Sequence, residues 1–192
     1  SYATSMENLE KGMDRITEAL SNLKTAKKIK RVSLDNTITR RKKSVPVDST
    51  ISVKMKDALI AEMESHISYE NYFEWNANIN GVIVQLRTNV SHLNDFWIEN
   101  WYPAQLEADL EPHGIIYAVD GITGREPHSF YNSETNTGVL VNTDNYVSLR
   151  SLAFGLVMDV SEKLFNVHTI RGMSADIDGS GLVLIGPKGT KK

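Results

Sequence analysis

The sequence predicts an α+β fold: a mixed, mostly antiparallel sheet with packed helices, preceded by a coiled-coil-like helix. Three features of the chain point to it. Residues 146–165 set Leu149, Leu152, Ala153, Leu156, Val157, Val160 and Leu164 at helical spacing, and Leu152–Met158 is apolar nearly all round, the pattern of a buried helix. After Asn80-Gly81 the period changes to two: Val82, Val84 and Leu86 alternate with Ile83, Gln85 and Arg87, as in a half-buried strand. Near the end, the runs Met173–Ile177 and Leu182–Ile185 flank Asp178-Gly-Ser-Gly181, which predicts a hairpin.

The remaining elements follow in order along the chain. Met6, Leu9, Met13, Ile16, Leu20 and Leu23 are spaced as the a and d positions of a heptad, so residues 1–23 are read as a heptad helix. A helix of this length is marginal alone in water, which implies a homo-oligomer or a helical protein partner, or docking on its own domain, through residues 6–23. Residues 24–50 read as a basic linker, and residues 51–192 as the α+β domain. Asp48-Ser49-Thr50 offers caps for a helix over 52–66, whose apolar side is Val53, Met55, Leu59, Ile60 and Met63. A short helix over 91–101 brings Leu93, Trp97 and Trp101 to one face, and Pro103 closes it. Strands are predicted over 115–119, 129–131 and 138–141, with a hairpin loop at 132–137.

Composition narrows the class. The chain has 192 residues, a hydrophobic fraction of 41% and no apolar stretch that approaches a membrane span of about 18 residues. No leader-like segment opens it, and there is no cysteine, so a cytoplasmic, reducing location is expected. The five histidines, at 66, 92, 113, 128 and 168, include no i, i+4 pair, and no metal site is read from them. Net charge is −3 but uneven. Residues 24–43 hold nine basic side chains against Asp35 alone, a segment at +8, which leaves −11 on the rest. Such an arm suits nucleic acid or another acidic surface, with strong salt dependence.

The candidate site is the loop Gly186, Pro187, Lys188, Gly189, Thr190, Lys191, Lys192, which follows the apolar run Leu182–Ile185. Phosphate-binding loops of the form G-x-x-x-x-G-K-[ST] cradle phosphates with backbone N–H groups, and their Lys reaches the terminal oxygens. Gly186 and Lys192 have the spacing of the first Gly and the Lys, while Lys191 stands in place of the second Gly. No Ser or Thr follows Lys192, so either the sequence is the N-terminal part of a longer protein or the site has lost its chemistry. Asp176 and Asp178 read as a strand end and an Asp-Gly turn rather than metal ligands. Arg150 and Arg171 are candidates for an anionic substrate, against capping or ion pairing. His168 reads as a structural histidine. Phe96, Trp97, Trp101 and Tyr102 could stack a base, although aromatics at this spacing usually pack a core. No catalytic residue is assigned.

Three stretches, His168-Thr-Ile-Arg-Gly172, Ala175-Asp-Ile-Asp-Gly179 and Gly181-Leu-Val-Leu-Ile-Gly-Pro-Lys-Gly-Thr190, resemble the HPr kinase/phosphoenolpyruvate carboxykinase superfamily. There a His-Gly step leads through a strand, a glycine turn and a second strand into the phosphate loop. Asn142-Thr-Asp144 and Leu149-Arg-Ser-Leu-Ala153 look similar to the same proteins, and the likeness covers residues 76–192. This chain departs from the pattern in carrying Arg171 in place of the His before Gly172. The resemblance implies ATP and Mg²⁺ as cofactors and an ATP-dependent kinase or carboxykinase-like transferase. The alternative is a non-catalytic module on a degenerate nucleotide fold, binding a partner protein, nucleic acid or ribosome through the heptad helix and basic arm.

Overall fold

The computed structural model describes Lys11, Asp14 and residues 43–104, 111–170 and 172–186, with Tyr69 by its backbone alone. The chain divides into two compact units, residues 35–169 and residues 1–34 with 170–192. The heptad helix lies outside the described residues except for Lys11 and Asp14, both helical, and the basic arm lies outside except for Lys43.

The described residues between 35 and 169 form an α/β body around a seven-stranded sheet. Its elements in chain order are β1 (Val47–Asp48), α1 (Val53–His66), β2 (Phe73–Ile79), β3 (Val82–Thr88), α2 (Ser91–Asn100), β4 (Tyr102–Pro103), β5 (Gly114–Val119), β6 (His128–Asn132), β7 (Thr137–Val141) and α3 (Tyr146–Phe165). The strand order is β1-β6-β7-β5-β3-β2-β4. The pairs β2/β3, β2/β4 and β6/β7 are antiparallel, whereas β3/β5, β5/β7 and β1/β6 are parallel. Two hairpins thus stand on either side of β5. The first turns at Asn80-Gly81, both at positive φ (54° and 86°), the geometry that matches strand twist and favours Asn-Gly.

Both faces of the sheet are covered. On one, Ala77, Ile79, Val82, Val84, Leu86, Ile116, Ala118 and Leu140 pack with Leu93 and Trp97 of α2 and with the α3 row Leu149, Leu152, Ala153, Leu156, Val157 and Val160. On the other, Tyr117, Val119, Val139 and Val141 meet Leu59 and Met63 of α1. β3 is therefore a central strand, with Arg87 alone of its residues reaching partial exposure, rather than the half-buried strand its alternation predicts. Gly138 lets α3 settle on the sheet: a Cβ there would lie 3.0 Å from Leu152. Asn145 caps α3 by accepting from the amides of Val147 and Ser148 at 2.9 and 3.1 Å, and Asn166 ends it in the left-handed region.

Several sequence expectations change at the level of residues. The α3 helix buries one face only; Val147, Phe154, Met158 and Leu164 are exposed, because the other side has no described layer above it. The cap of α1 is Ser52, which accepts from Met55 N at 3.3 Å, while Asp48 accepts instead from Thr50 N at 2.8 Å in a local turn. Within α1, Met55 is exposed and Lys56 is buried, since Lys56, Leu59 and Met63 share the inward stripe. The Lys56 stem packs under the helix while its ammonium reaches Asp57 at 2.6 Å. Val45 packs on the core and donates its N–H to Ser148 Oγ at 3.0 Å, so the ordered body takes in the end of the segment read as linker.

The described residues of the other unit include the hairpin β8 (Met173–Ile177) and β9 (Ser180–Leu184), an antiparallel two-stranded sheet. Among the described residues, no helix is long and apolar enough to cross a membrane.

Candidate functional site

The hairpin β8–β9 ends two residues before Gly186, the first residue of the glycine- and lysine-rich candidate segment. Its turn is Asp178-Gly179, both at positive φ (52° and 81°), and Asp176 Oδ1 accepts from Gly179 N at 2.9 Å. That is an Asp-Gly hairpin turn, as the sequence reading has it. Cross-strand pairing places Met173 opposite Leu184, Ala175 opposite Leu182 and Ile177 opposite Ser180, so one face of the hairpin is apolar. The other carries Ser174, Asp176 and Val183. Gly172 lies so close to the last residue of β9 that a Cβ would come 2.9 Å from Leu184 O. Regular structure stops at Leu184, and Ile185 and Gly186 continue in irregular, exposed backbone. Of the loop, Gly186 is described; Pro187, Lys188, Gly189, Thr190, Lys191 and Lys192 lie outside the described residues, as does Arg171.

The other candidates sit in the body, and the structure separates them. Arg150 is exposed on α3 with its guanidinium 5.3 Å from the Phe154 ring, a cation–π contact. His168 is exposed beside Glu162, 3.3 Å from Nδ1 to Oε1. Trp97 is fully buried and meets Trp101 edge-on at 6.1 Å; Phe96 stacks on Tyr146 at 4.6 Å. Three of these four aromatics are therefore committed to packing, and Tyr102 stands apart at 82% exposure. Asn142, Thr143 and Asp144 follow β7 and are buried: Asn142 holds the loop after β5, and Asp144 Oδ2 lies 3.3 Å from His92 Nε2. Among the described residues no group of three or more His, Asp or Glu side chains could hold a metal ion.

A second constellation, absent from the sequence reading, lies on the α1 side of the sheet. There β2 and β3 carry polar side chains in cross-strand pairs, Glu74 opposite Arg87 and Asn76 opposite Gln85. Gln85 Nε2 donates to Asn76 Oδ1 at 2.9 Å and to Glu74 Oε1 at 3.2 Å. Arg87 Nε donates to Gln85 Oε1 at 2.7 Å and lies 3.4 Å from Glu74 Oε2. Its Nη1 donates to the Tyr117 hydroxyl at 2.9 Å, which in turn donates to Glu64 Oε1 at 3.4 Å. Tyr72 donates its hydroxyl to Glu74. Burial and the neighbouring Glu74 carboxylate hold the Tyr72 phenol well above its usual range, and burial raises the Tyr117 phenol. Both are therefore neutral donors at any physiological pH. The network borders an open cleft of about 340 Å³ lined by Glu64, Ile67, Ser68, Tyr72, Arg87 and Tyr117. Its one sequence signal is the pair Gln85 and Arg87 on a strand whose alternate positions Val82, Val84 and Leu86 are apolar.

Comparison with protein-family models, curated proteins and solved structures gives no match for this chain.

Proposed function

We propose that the chain takes part in ATP-dependent phosphoryl transfer, as a kinase or carboxykinase-like phosphotransferase, with Gly186–Lys192 as the phosphate cradle and Mg²⁺ accompanying the nucleotide. The observation that carries the reading is the strand–turn–strand unit of β8, Asp178-Gly179 and β9, which runs directly into Gly186. A strand followed at once by a glycine loop is the local context that raises a G-x-x-x-x-x-K spacing above a chance match. The resemblance of residues 168–190 to the HPr kinase/carboxykinase superfamily supports the same chemistry. In such sites the protein contributes position and positive charge: backbone N–H groups and a lysine neutralise the charge spread over the moving phosphoryl oxygens. Lys188, Lys191 and Lys192 supply that charge here, and Gly186 and Gly189 permit close backbone approach.

The test is titration of the isotope-labelled chain with Mg²⁺–ATP, read on backbone amide resonances. The amides of Gly186 and Gly189 are expected to shift together, and Lys192→Ala is expected to weaken binding by about tenfold, the worth of one charge-assisted phosphate contact. Silence of both glycines at saturating nucleotide refutes the loop assignment.

A further inference from the structure

We propose that the cleft beside α1 binds a guanidinium or ammonium group carried on an alkyl stem. The argument begins with the floor. A sheet face inside a two-layered core is ordinarily apolar, yet over β2 and β3 this face holds Glu74, Asn76, Gln85 and Arg87, of which Asn76 and Gln85 are buried. Polar side chains at such depth are retained only where each is held by others, and these are joined in one hydrogen-bonded network that ends at the cleft.

Charge then selects the ligand. Arg87 is engaged by Gln85, Tyr117 and Glu74, and its guanidinium also lies 5.5 Å from the Tyr117 ring. Its charge is matched by Glu74. Glu64, which lines the cleft, adds a second carboxylate to the network, whose two carboxylates and one guanidinium sum to −1. Among the described residues the Glu64 carboxylate meets Tyr117 alone, at 3.4 Å, a distance at the weak end of hydrogen bonding. Its lone pairs remain available to a stronger donor. A phosphate or carboxylate would meet the Glu64 carboxylate and, in Arg87, a guanidinium whose charge Glu74 already matches.

Shape and surface agree. Ile67 and the two tyrosine rings form apolar walls suited to a methylene stem and to a cation over an aromatic face, and Ser68 adds a hydroxyl at the rim. A volume of about 340 Å³ is at the small end of ligand pockets, enough for one amine-bearing side chain or a small free amine. The two sources share this chemistry: a free alkyl amine or guanidine, and a lysine or arginine of a peptide.

Binding is tested on the isotope-labelled chain with agmatine as the free probe and N-acetyl-arginine methylamide as the peptide-like one, with inorganic phosphate at matched ionic strength. Either cationic probe is expected to move the amides of Glu64, Ile67 and Ser68, and Glu64→Gln to weaken that binding by about tenfold or more. Tighter binding of the capped arginine assigns a peptide source, and tighter binding of agmatine a free amine. The proposal is overturned if neither probe moves those amides at millimolar concentration. It is equally overturned if phosphate moves them more strongly, or if Glu64→Gln binds as the wild type does. Glu64 is exposed on α1, so the variant keeps its fold, and an unchanged circular dichroism spectrum verifies this.

Discussion

Asn142 is the residue at which one substitution separates backbone conformation from hydrogen bonding. It sits just after β7 in the left-handed region at φ 51° and is 9% exposed. Its Oδ1 accepts from Ile122 N at 2.8 Å, and its Nδ2 donates to Ile122 O at 2.6 Å and to Arg125 O at 2.7 Å. These three bonds tie the middle of the loop between β5 and β6 to the end of β7, while Asn89 holds Asp120 and Glu62 pairs with Arg125. Asn142→Ala removes all three, at about 1 kcal/mol each, and leaves the buried Ile122 amide unpartnered. It also places alanine in the left-handed region, which costs about 1 kcal/mol more than for asparagine. The sum is roughly 3–4 kcal/mol, a large part of a stability of about 5–15 kcal/mol. Asn142→Gly loses the same bonds without the backbone strain, so it should lie about 1 kcal/mol above the alanine variant. Urea unfolding followed by tryptophan fluorescence reads both differences as midpoint shifts at constant slope. If Asn142→Ala falls within about 0.5 kcal/mol of wild type, or if glycine is no better than alanine, the reasoning fails.

Two further predictions concern α3 and its seat on the sheet. Burial raises the Asp159 carboxyl, but hydrogen bonds from Lys163 at 2.5 Å, Tyr131 at 2.5 Å and Ser133 at 2.8 Å outweigh it and hold the group below the usual carboxylate range. A folded pKa below the unfolded value of about 3.9 adds stability above that pH and loses it as pH falls through the folded value. Asp159→Asn should therefore be less stable than wild type near neutrality, and the gap should narrow below about pH 4, as urea midpoints across this range will show. Gly138→Ala should cost about 1–3 kcal/mol by pressing on Leu152, whose nearest side-chain atoms would lie 3.0 Å from the new methyl. The double variant with Leu152→Ala should then be less destabilised than the two single effects added, by at least about 0.5 kcal/mol; strict additivity in thermal unfolding would refute the contact.

Some of this fold is legible in the sequence, and the rest is hidden for physical reasons. α3, β5, β7 and the β8–β9 hairpin announce themselves because long apolar runs and Asp-Gly or Asn-Gly turns act locally. β2 does not: Phe73, Trp75, Ala77 and Ile79 do alternate, but Asn76 and Asn78 between them imitate a loop. Those asparagines face the α1 side, where burial is decided by partners elsewhere in the chain. The same holds for the cleft. Gln85 is 11 residues from Glu74, Arg87 is 30 from Tyr117, and Tyr117 is 53 from Glu64. No local pattern links them, and only the parallel register of β3 with β5 brings Arg87 beside Tyr117. The swap of Met55 and Lys56 has a similar origin, since a one-residue rotation of α1 is fixed by what lies beneath it and not by the hydrophobicity of its own side chains.

The position of β5 bears on how the body folds. Two hairpins, β2/β3 and β6/β7, close on themselves through short connections, a process of about 1–10 μs for such units. Neither completes a sheet. Each inner strand, β3 and β7, finds its second neighbour in β5, and both of those ladders are parallel and non-local. The entropy of closing the intervening chain is spent before either ladder repays it, so the rate of folding is set where β5 slides between the hairpins. Substitutions that weaken its seat, at Ile116 or Ala118, should slow refolding, and so should those at the hairpin turns, whose strands are already paired when β5 docks.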